Sequence, residues 1–415
     1  TIGCFQVESP AMMNLLSRMK PNNIHDLTQA LALIRPGPTQ CGTKQAVLHA
    51  RQSRSSGRDS FLARIIPETQ GLLLYEEQVM QVAERVAGLN SEQGDMLRRG
   101  LKKRSVDPFL KTQFLQGARN RGYTPTELKK IWGHMEKFSS YSFNKAHSAS
   151  YACMAYQSVY LKAHHPLQYL TAVLNAGGGY YSLPVYIEEA KRLGIEVLPP
   201  DVAHSDYRFT VENFCIRVGL LSVKSLKTKT AQKIIEERLA GPYTSLEDFL
   251  TRGSVTKAEL FSLIKAGALD SLEPQRTEQI LNYYRGTQGI HRVGDLEEPQ
   301  KKKMRLDALG FDPAGEALSL FTRNRPELRI KDLDKRRGQT VELVVRLMDA
   351  RRKRVREGQK YFFLFSDETG VIEGIGTQKC MSFGSPPACC VRGKVQKSGK
   401  GKAKIFNCIF HSYGL

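Results

Sequence analysis

The stretch ASYACMAYQSVYLKAHHPLQYLTAVLNAGGGYYSLP, residues 149–184, decides how the chain divides. Up to Asn175 its apolar residues recur three and four apart, the period of one helix face. Gly177, Gly178 and Gly179 then follow in a row. Glycine loses more backbone freedom on ordering than any other residue, so three together end the helical pattern and mark a boundary.

Working toward the N-terminus, IHDLTQALALI (24–34), YEEQVMQVAERVAGL (75–89) and PTELKKIWGHMEKF (125–138) repeat the helical spacing. Pro125 after Thr124 suits a first helical turn, where the missing N–H costs nothing. Toward the C-terminus, VYIEEAKRLG (185–194) predicts a helix and IEVLPPD (195–201) an extended segment. YRFTVE (207–212) and FCIRVGL (214–220) predict short strands, and helices follow to about residue 286. Residues 287–337 are charged and poor in regular pattern, and QKKKMR (300–305) and DKRRGQ (334–339) read as solvated linker or surface segments. Beyond them, residues 340–376 and 389–410 alternate strands with charged or glycine-bearing turns. That pattern suits a small β-barrel of the OB type better than a sandwich. The expected fold class is therefore multidomain α+β, mainly helical at first and closing in a small barrel.

The 415 residues suffice for several cores, and 62 Lys+Arg against 41 Asp+Glu give a formal charge of +21. A field of that sign draws polyanions, with nucleic acid ahead of an anionic membrane surface. No apolar run is long enough to span a bilayer, and TIGCFQVES (1–9) lacks the regions of a signal peptide, so a cytoplasmic chain is expected. The eight cysteines form no C-x-x-C pair, which reads as reduced thiols rather than a zinc site or a disulfide framework. The chain opens on Thr1 rather than Met, the expectation for the downstream part of a longer protein.

Two segments carry candidate chemistry. In GDMLRRGLKKR (94–104), a helix would set Arg98 above Lys102 and Arg99 above Lys103, two adjacent cationic stripes. Like charges so placed repel by a few tenths of a kcal/mol per pair, and Gly100 costs about 1 kcal/mol more. A polyphosphate ligand would compensate both, while a solvated basic face accounts for the spacing equally well. In SYSFNKAHSASYA (140–152), Lys145 can place a charge on a phosphate and His147 can offer ring contact and a hydrogen bond. Phe143 and Tyr151 can stack or pack, and His147 can equally be a satisfied structural histidine. RPGP (35–38) is a rigid turn that either holds Arg35 firmly or ends a helix.

TIGCFQVES (1–9), RPGP (35–38), LYEEQVM (74–80), DMLRRGLKKR (95–104), YSFNKAHSASYA (141–152), YLKAHHP (160–166) and VLPPD (197–201) occur in an order that resembles the bacterial C-family DNA polymerases, the alpha subunit of DNA polymerase III and its error-prone translesion relatives. The resemblance implies a polymerase fingers domain at 1–176, a helix-hairpin-helix DNA-binding region at 177–290, a charged connector at 291–337 and an OB-fold at 338–415. It implies that Arg98, Arg99, Lys102 and Lys103 neutralise the triphosphate or nearby template phosphates, with Arg35 also at the nucleotide. Asn144, Lys145 and His147 would face the bound deoxynucleoside triphosphate, His147 crowding a 2′-hydroxyl. Primer-template DNA is the implied macromolecular partner. The chemistry of the family uses two Mg2+ ions in a palm domain, which in the family lies upstream of the residues matched. On that ground no catalytic or metal-binding residue is assigned in this chain, and the chain alone is expected not to extend a primer.

The chain departs from the family in places. VKSLKTKT (223–230) carries Ser225 and Lys227 where the hairpin glycines are expected, which puts backbone capture of a DNA phosphate in doubt. Lys224, Lys227 and Lys229 remain able to hold phosphate through side chains. The second hairpin, 255–272, reads as plain packing. No sliding-clamp peptide is evident around RGTQGIHRVGD (285–295). In KYFFLFSDETG (360–370), Lys360 and Phe362 can meet single-stranded DNA, or the alternating aromatics can fill the barrel. Asp332 and Asp334 form a D-x-D pair that reads as surface charge balance. Ending near the close of the barrel favours an error-prone relative over the main replicase. The competing reading is a non-catalytic nucleic-acid-binding protein built from the same modules, and the lack of a P-loop argues against direct phosphoryl transfer by His147 and Lys145.

Overall fold

The structure, a computed structural model, describes residues 1–34, 43–52, 61–139, 143–285, 294–314, 328–355, 358–376, 389–397 and 403–411. The contacts divide the chain into two units, Thr1 with Gly3–Tyr160, and Ile2 with Leu161–Leu415. The fold is multidomain α+β, mainly helical at first and with a closed barrel at the C-terminus.

The first unit is helical, as the 3.6-residue period predicts. The helix Pro10–Met19 starts at Ser9, whose hydroxyl accepts from the Met12 N–H at 3.3 Å, and Pro10 occupies its first turn. The helix Ile24–Leu33 starts at Asn23, which accepts from the Asp26 N–H at 2.9 Å. Leu15, Leu33, Leu48 and Tyr75 close one core around these helices. A second core forms where the helices Glu76–Ala87, Ser91–Lys103, Pro108–Asn120 and Pro125–Ser139 pack, burying Val79, Val82, Leu97, Phe114 and Met135. Gly100 has a packing reason: a Cβ there would come within 3.1 Å of Ser105 O and Val106 Cα. The chain doubles back against the helix at that point, so the glycine needs no ligand to explain it.

In the second unit the glycines at 177–179 end the helix Pro166–Ala176, with φ of 64° at Gly177 and 68° at Gly178. The helix Leu183–Arg192 follows. The strands β1 (Val197–Leu198), β2 (Thr210–Glu212) and β3 (Cys215–Arg217) make a sheet of order β1-β3-β2, with β1 parallel and β2 antiparallel to β3. The helices Thr228–Ala240, Leu246–Arg252, Lys257–Ala266, Arg276–Arg285 and Glu298–Leu309 come next. In the second hairpin Leu260, Leu263, Ile264, Ala268 and Leu269 are buried, so it packs as its spacing predicts.

The segment 300–305 differs from the solvated linker expected of it. It lies inside the helix Glu298–Leu309, and Lys302 and Arg305 are each 4% exposed. Asp312 explains their burial: fully buried itself, it takes Arg305 Nε at 2.6 Å and faces Lys302 Nζ at 3.7 Å. Lysine-rich helices are read as solvated because charge is counted without its partner, and here the partner arrives seven residues after Arg305. The D-x-D pair behaves as expected, Asp334 Oδ1 meeting Arg337 Nη2 at 3.0 Å and Asp332 accepting from the Arg329 N–H at 3.3 Å.

The barrel strands β4 (Thr340–Val355), β5 (Gly358–Asp367), β6 (Gly370–Gly376), β7 (Cys389–Lys397) and β8 (Ala403–His411) close in the order β4-β5-β6-β8-β7, with β6 and β8 parallel and the other pairs antiparallel. That order is consistent with an OB-fold. The strand period of two sends Tyr361, Phe363 and Phe365 into the core and leaves Phe362 at the surface. Three of the aromatics thus fill the barrel, and Phe362 is left at the surface. Cys153, Cys215, Cys389 and Cys390 are free thiols, and burial pushes Cys389 and Cys390 up to about 12. Among the described residues no helix is long and apolar enough to cross a membrane.

Candidate nucleotide-phosphate site

The site is organised by the first turn of the helix Glu76–Ala87. Gln78, fully buried, accepts the Leu74 N–H at 2.7 Å and the Tyr75 N–H at 3.1 Å, which fixes where the helix begins. Its amide nitrogen donates to Thr69 Oγ1 at 2.8 Å and Glu68 Oε1 at 3.1 Å. The Glu76 N–H donates to Phe143 O at 2.8 Å, so the segment entering the helix Lys145–His164 is tied to the same turn.

The cations gather around this point. Glu76 takes Lys102 Nζ at 2.8 Å and also pairs with Arg98 Nη1. Asp95 takes Arg98 Nη2 at 2.7 Å and pairs with Arg99. Hydrogen bonding to Arg98 holds the Asp95 carboxyl below its ordinary range. Lys145 pairs through Nζ with the other oxygen of Glu68 and lies 5.6 Å from the centroid of the Tyr75 ring. The buried Tyr75 hydroxyl is pushed up by burial and by Glu68 and Glu77. The structure therefore brings Arg98 and Lys102 together on Glu76, while Lys145 pairs with Glu68, which Gln78 of the same helical turn holds. Arg98 is the most enclosed cation of the helix Ser91–Lys103, with both ends of its guanidinium held, whereas the Arg99 and Lys102 side chains are 68% and 55% exposed. Lys103 is exposed on the same helix.

Asn144 caps the next helix: its Oδ1 accepts the His147 N–H at 2.9 Å. The His147 ring stands edge-on to Phe143 at 5.3 Å and to Tyr151 at 4.2 Å, and Tyr151 stacks on Phe5 at 5.3 Å. This exposed histidine has a fixed ring orientation at the mouth of the segment carrying Lys145. Arg35 and the clamp-peptide region 286–293 lie outside the described residues.

In the second unit Ser225 keeps a left-handed φ of 68°, so the hairpin retains the backbone shape that glycine would favour. Lys224 Nζ donates to Asp307 O at 2.7 Å, which turns that side chain toward the protein. The Lys227 N–H donates to Glu259 Oε1 at 3.2 Å, so an internal carboxylate holds the amide. Lys227 and Lys229 keep exposed side chains at the start of the helix Thr228–Ala240. On the barrel, Lys360 is half-buried opposite Lys353, and Phe362 lies opposite Arg351, whose guanidinium sits 5.0 Å from the Tyr180 ring.

Sequence reasoning passed over Glu68, Glu76, Glu77 and Asp95. For Glu76 and Glu77 the signal was present in LYEEQVM, since two acids in a first helical turn complement its positive end, and Asp95 lies three and four residues before Arg98 and Arg99, but the pairs of Glu68 and Glu76 join residues 22 to 77 positions apart. The described residues do not fit a two-ion magnesium site: they contain no cluster of three or more potential metal ligands, and the carboxylates nearest the basic face hold cations or a helix amide.

Residues 1–122 match the bacterial DNA polymerase III alpha subunit finger domain, and residues 194–279 match the helix-hairpin-helix motif. The fold is thus that of a polymerase finger domain followed by a helix-hairpin-helix module. DNA polymerase III subunit alpha of Aquifex aeolicus is 31% identical over 398 residues, and that of Thermus aquaticus 34% over 417, each alignment covering 90% of this chain and 34% of the relative. The error-prone DNA polymerase of Methylococcus capsulatus is 34% identical over 310 residues, covering 66% of this chain and 29% of its own length. The chain belongs to this family of bacterial polymerase III alpha subunits and their error-prone relatives. It spans about a third of the length of the curated relatives it matches.

Proposed function

We propose that the chain is the nucleotide- and DNA-holding portion of a bacterial DNA-directed DNA polymerase of the alpha-subunit family. Its helical first unit receives the phosphates of an incoming deoxynucleoside triphosphate. The observation that carries this reading is that Arg98 and Lys102 meet at Glu76 in the first turn of the helix Glu76–Ala87, while Lys145 pairs with Glu68, which Gln78 of the same turn holds. Internal carboxylates hold these cations in place until a polyphosphate competes for them, an ordering that a uniformly solvated basic face would not need. The exposed Arg99, Lys102 and Lys103 side chains meet phosphate directly, and Arg98, held at both ends, keeps the helix face in register. His147, braced by Phe143 and Tyr151, stands at the sugar.

Primer-template DNA is held by Lys227 and Lys229 at the hairpin, with Lys360 and Phe362 on the barrel available to single-stranded template. Lys224 reaches phosphate by exchanging the Asp307 carbonyl that its ammonium binds, as Lys102 exchanges Glu76. The magnesium chemistry of polymerisation belongs to palm carboxylates of the family, and no step of this reading passes through these residues. The test is binding of primed DNA across a salt series. With about four phosphate contacts, log affinity falls against log salt with a slope near −4. The 415-residue polypeptide adds no nucleotide to that primer with Mg2+. A flat salt response rejects the DNA partner, and primer extension rejects the division of labour.

A further inference from the structure

Glu77 is the carboxylate that the phosphate reading leaves without a task. Both its oxygens lie 3.1 Å from the N–H of Lys145, the first residue of the helix Lys145–His164. A helix start leaves its first amides without partners and carries partial positive charge, so a carboxylate there fixes its position as well as satisfying it. Asn144 takes the next available amide, that of His147, so the turn is held at two points by two side chains. The Glu77 contact comes from a distant part of the chain, beside the bond of the Glu76 N–H to Phe143 O just ahead of the turn. It joins the turn to the helix whose first residue, Glu76, holds Arg98 and Lys102.

We propose that Glu77 is a positioning residue for sugar selection: it fixes the Lys145–His147 turn relative to the phosphate-binding cations, so that a nucleotide anchored by its phosphates presents its sugar to the His147 ring. The inference rests on the nucleotide reading above. Glu76 and Glu77, adjacent in sequence, then serve different ends of one ligand. Glu76 balances the cations that take the phosphates, and Glu77 aligns the ring that meets the ribose. A 2′-hydroxyl discriminates between two nucleotides only if the distance from phosphate anchor to ring is held, and the Glu77 contact sets that distance.

Equilibrium binding of dATP and ATP to the 415-residue chain tests this. The wild-type chain is expected to prefer dATP, and Glu77→Ala to lose most of that preference, by about fivefold or more, with total affinity changed less than the ratio. Glu77→Gln, which keeps one acceptor oxygen, falls between. Glu76→Gln removes the internal counter-ion of Arg98 and Lys102 and shifts both nucleotides by the same factor, leaving the ratio intact. A merely structural Glu77 would weaken both ligands equally. An unchanged ratio in Glu77→Ala overturns the inference while leaving the phosphate site standing. Failure of the wild-type chain to bind either nucleotide overturns the phosphate site itself. The far-ultraviolet dichroism of each variant separates loss of selection from loss of fold.

Discussion

Arg346 lies on β4 with 7% of its surface exposed, and its Nε and Nη1 are buried without a hydrogen-bond partner. Burial holds its guanidinium below the ordinary value, opposed only by the charge of Glu188. Burying a charged group whose N–H donors lack partners is costly, and an apolar residue of similar reach at the same place removes that cost. Arg346→Leu should therefore raise the melting temperature by several degrees, read by calorimetry, and a fall would mean that Arg346 has a partner in solution. Nothing in VELVVRLMD marks this arginine, because alternation along a strand predicts its face but not its neighbours. The same limit applied at the nucleotide site. Arg98, Lys102, Lys145 and His147 were legible as cations and a ring at helical spacing, while Glu68, Glu76 and Glu77, which gather them, act over distances no local pattern encodes.

Among the elements, the two hairpins of the DNA-binding module are joined by Glu259. Its Oε1 accepts Lys227 N–H at 3.2 Å and Thr230 Oγ1 at 2.7 Å, and its Oε2 accepts Thr256 N–H at 3.0 Å and Thr256 Oγ1 at 2.7 Å. Burial pushes this carboxyl up, but the four hydrogen bonds prevail and bring it down to about 2. A depressed folded value contributes stability that is fully present above the unfolded value near 4.3 and is lost as pH falls toward 2. The contribution is on the order of 3 kcal/mol. Acid unfolding of the wild-type chain between about pH 5 and pH 2 should thus be partly absent in Glu259→Gln, which begins less stable at pH 7. Equal acid sensitivity of the two proteins would remove Glu259 from this role. Elements with a strong period, the helix Glu76–Ala87 and the barrel strands above all, were readable from sequence. The helix Glu298–Leu309 was not, because its inward charges are balanced by Asp312, which lies beyond its end.

For the whole molecule, the ordered motifs gave the family, and the formal charge of +21 points toward the polyanionic partner proposed above. The triple glycine at 177–179 ended a helix as read, although the contacts divide the chain earlier, after Tyr160 and inside the helix Lys145–His164. A helix is continuous in sequence pattern whichever unit its residues join, so this division has no local signature. The central claim is that the N-terminal helical unit takes a nucleotide by its phosphates. Equilibrium binding of dATP to the wild-type chain and to the Lys102→Gln, Lys145→Gln double variant tests it most directly. Loss of these two charges should weaken binding at least tenfold, about 1.4 kcal/mol or more. Equal affinity in the two proteins would contradict it.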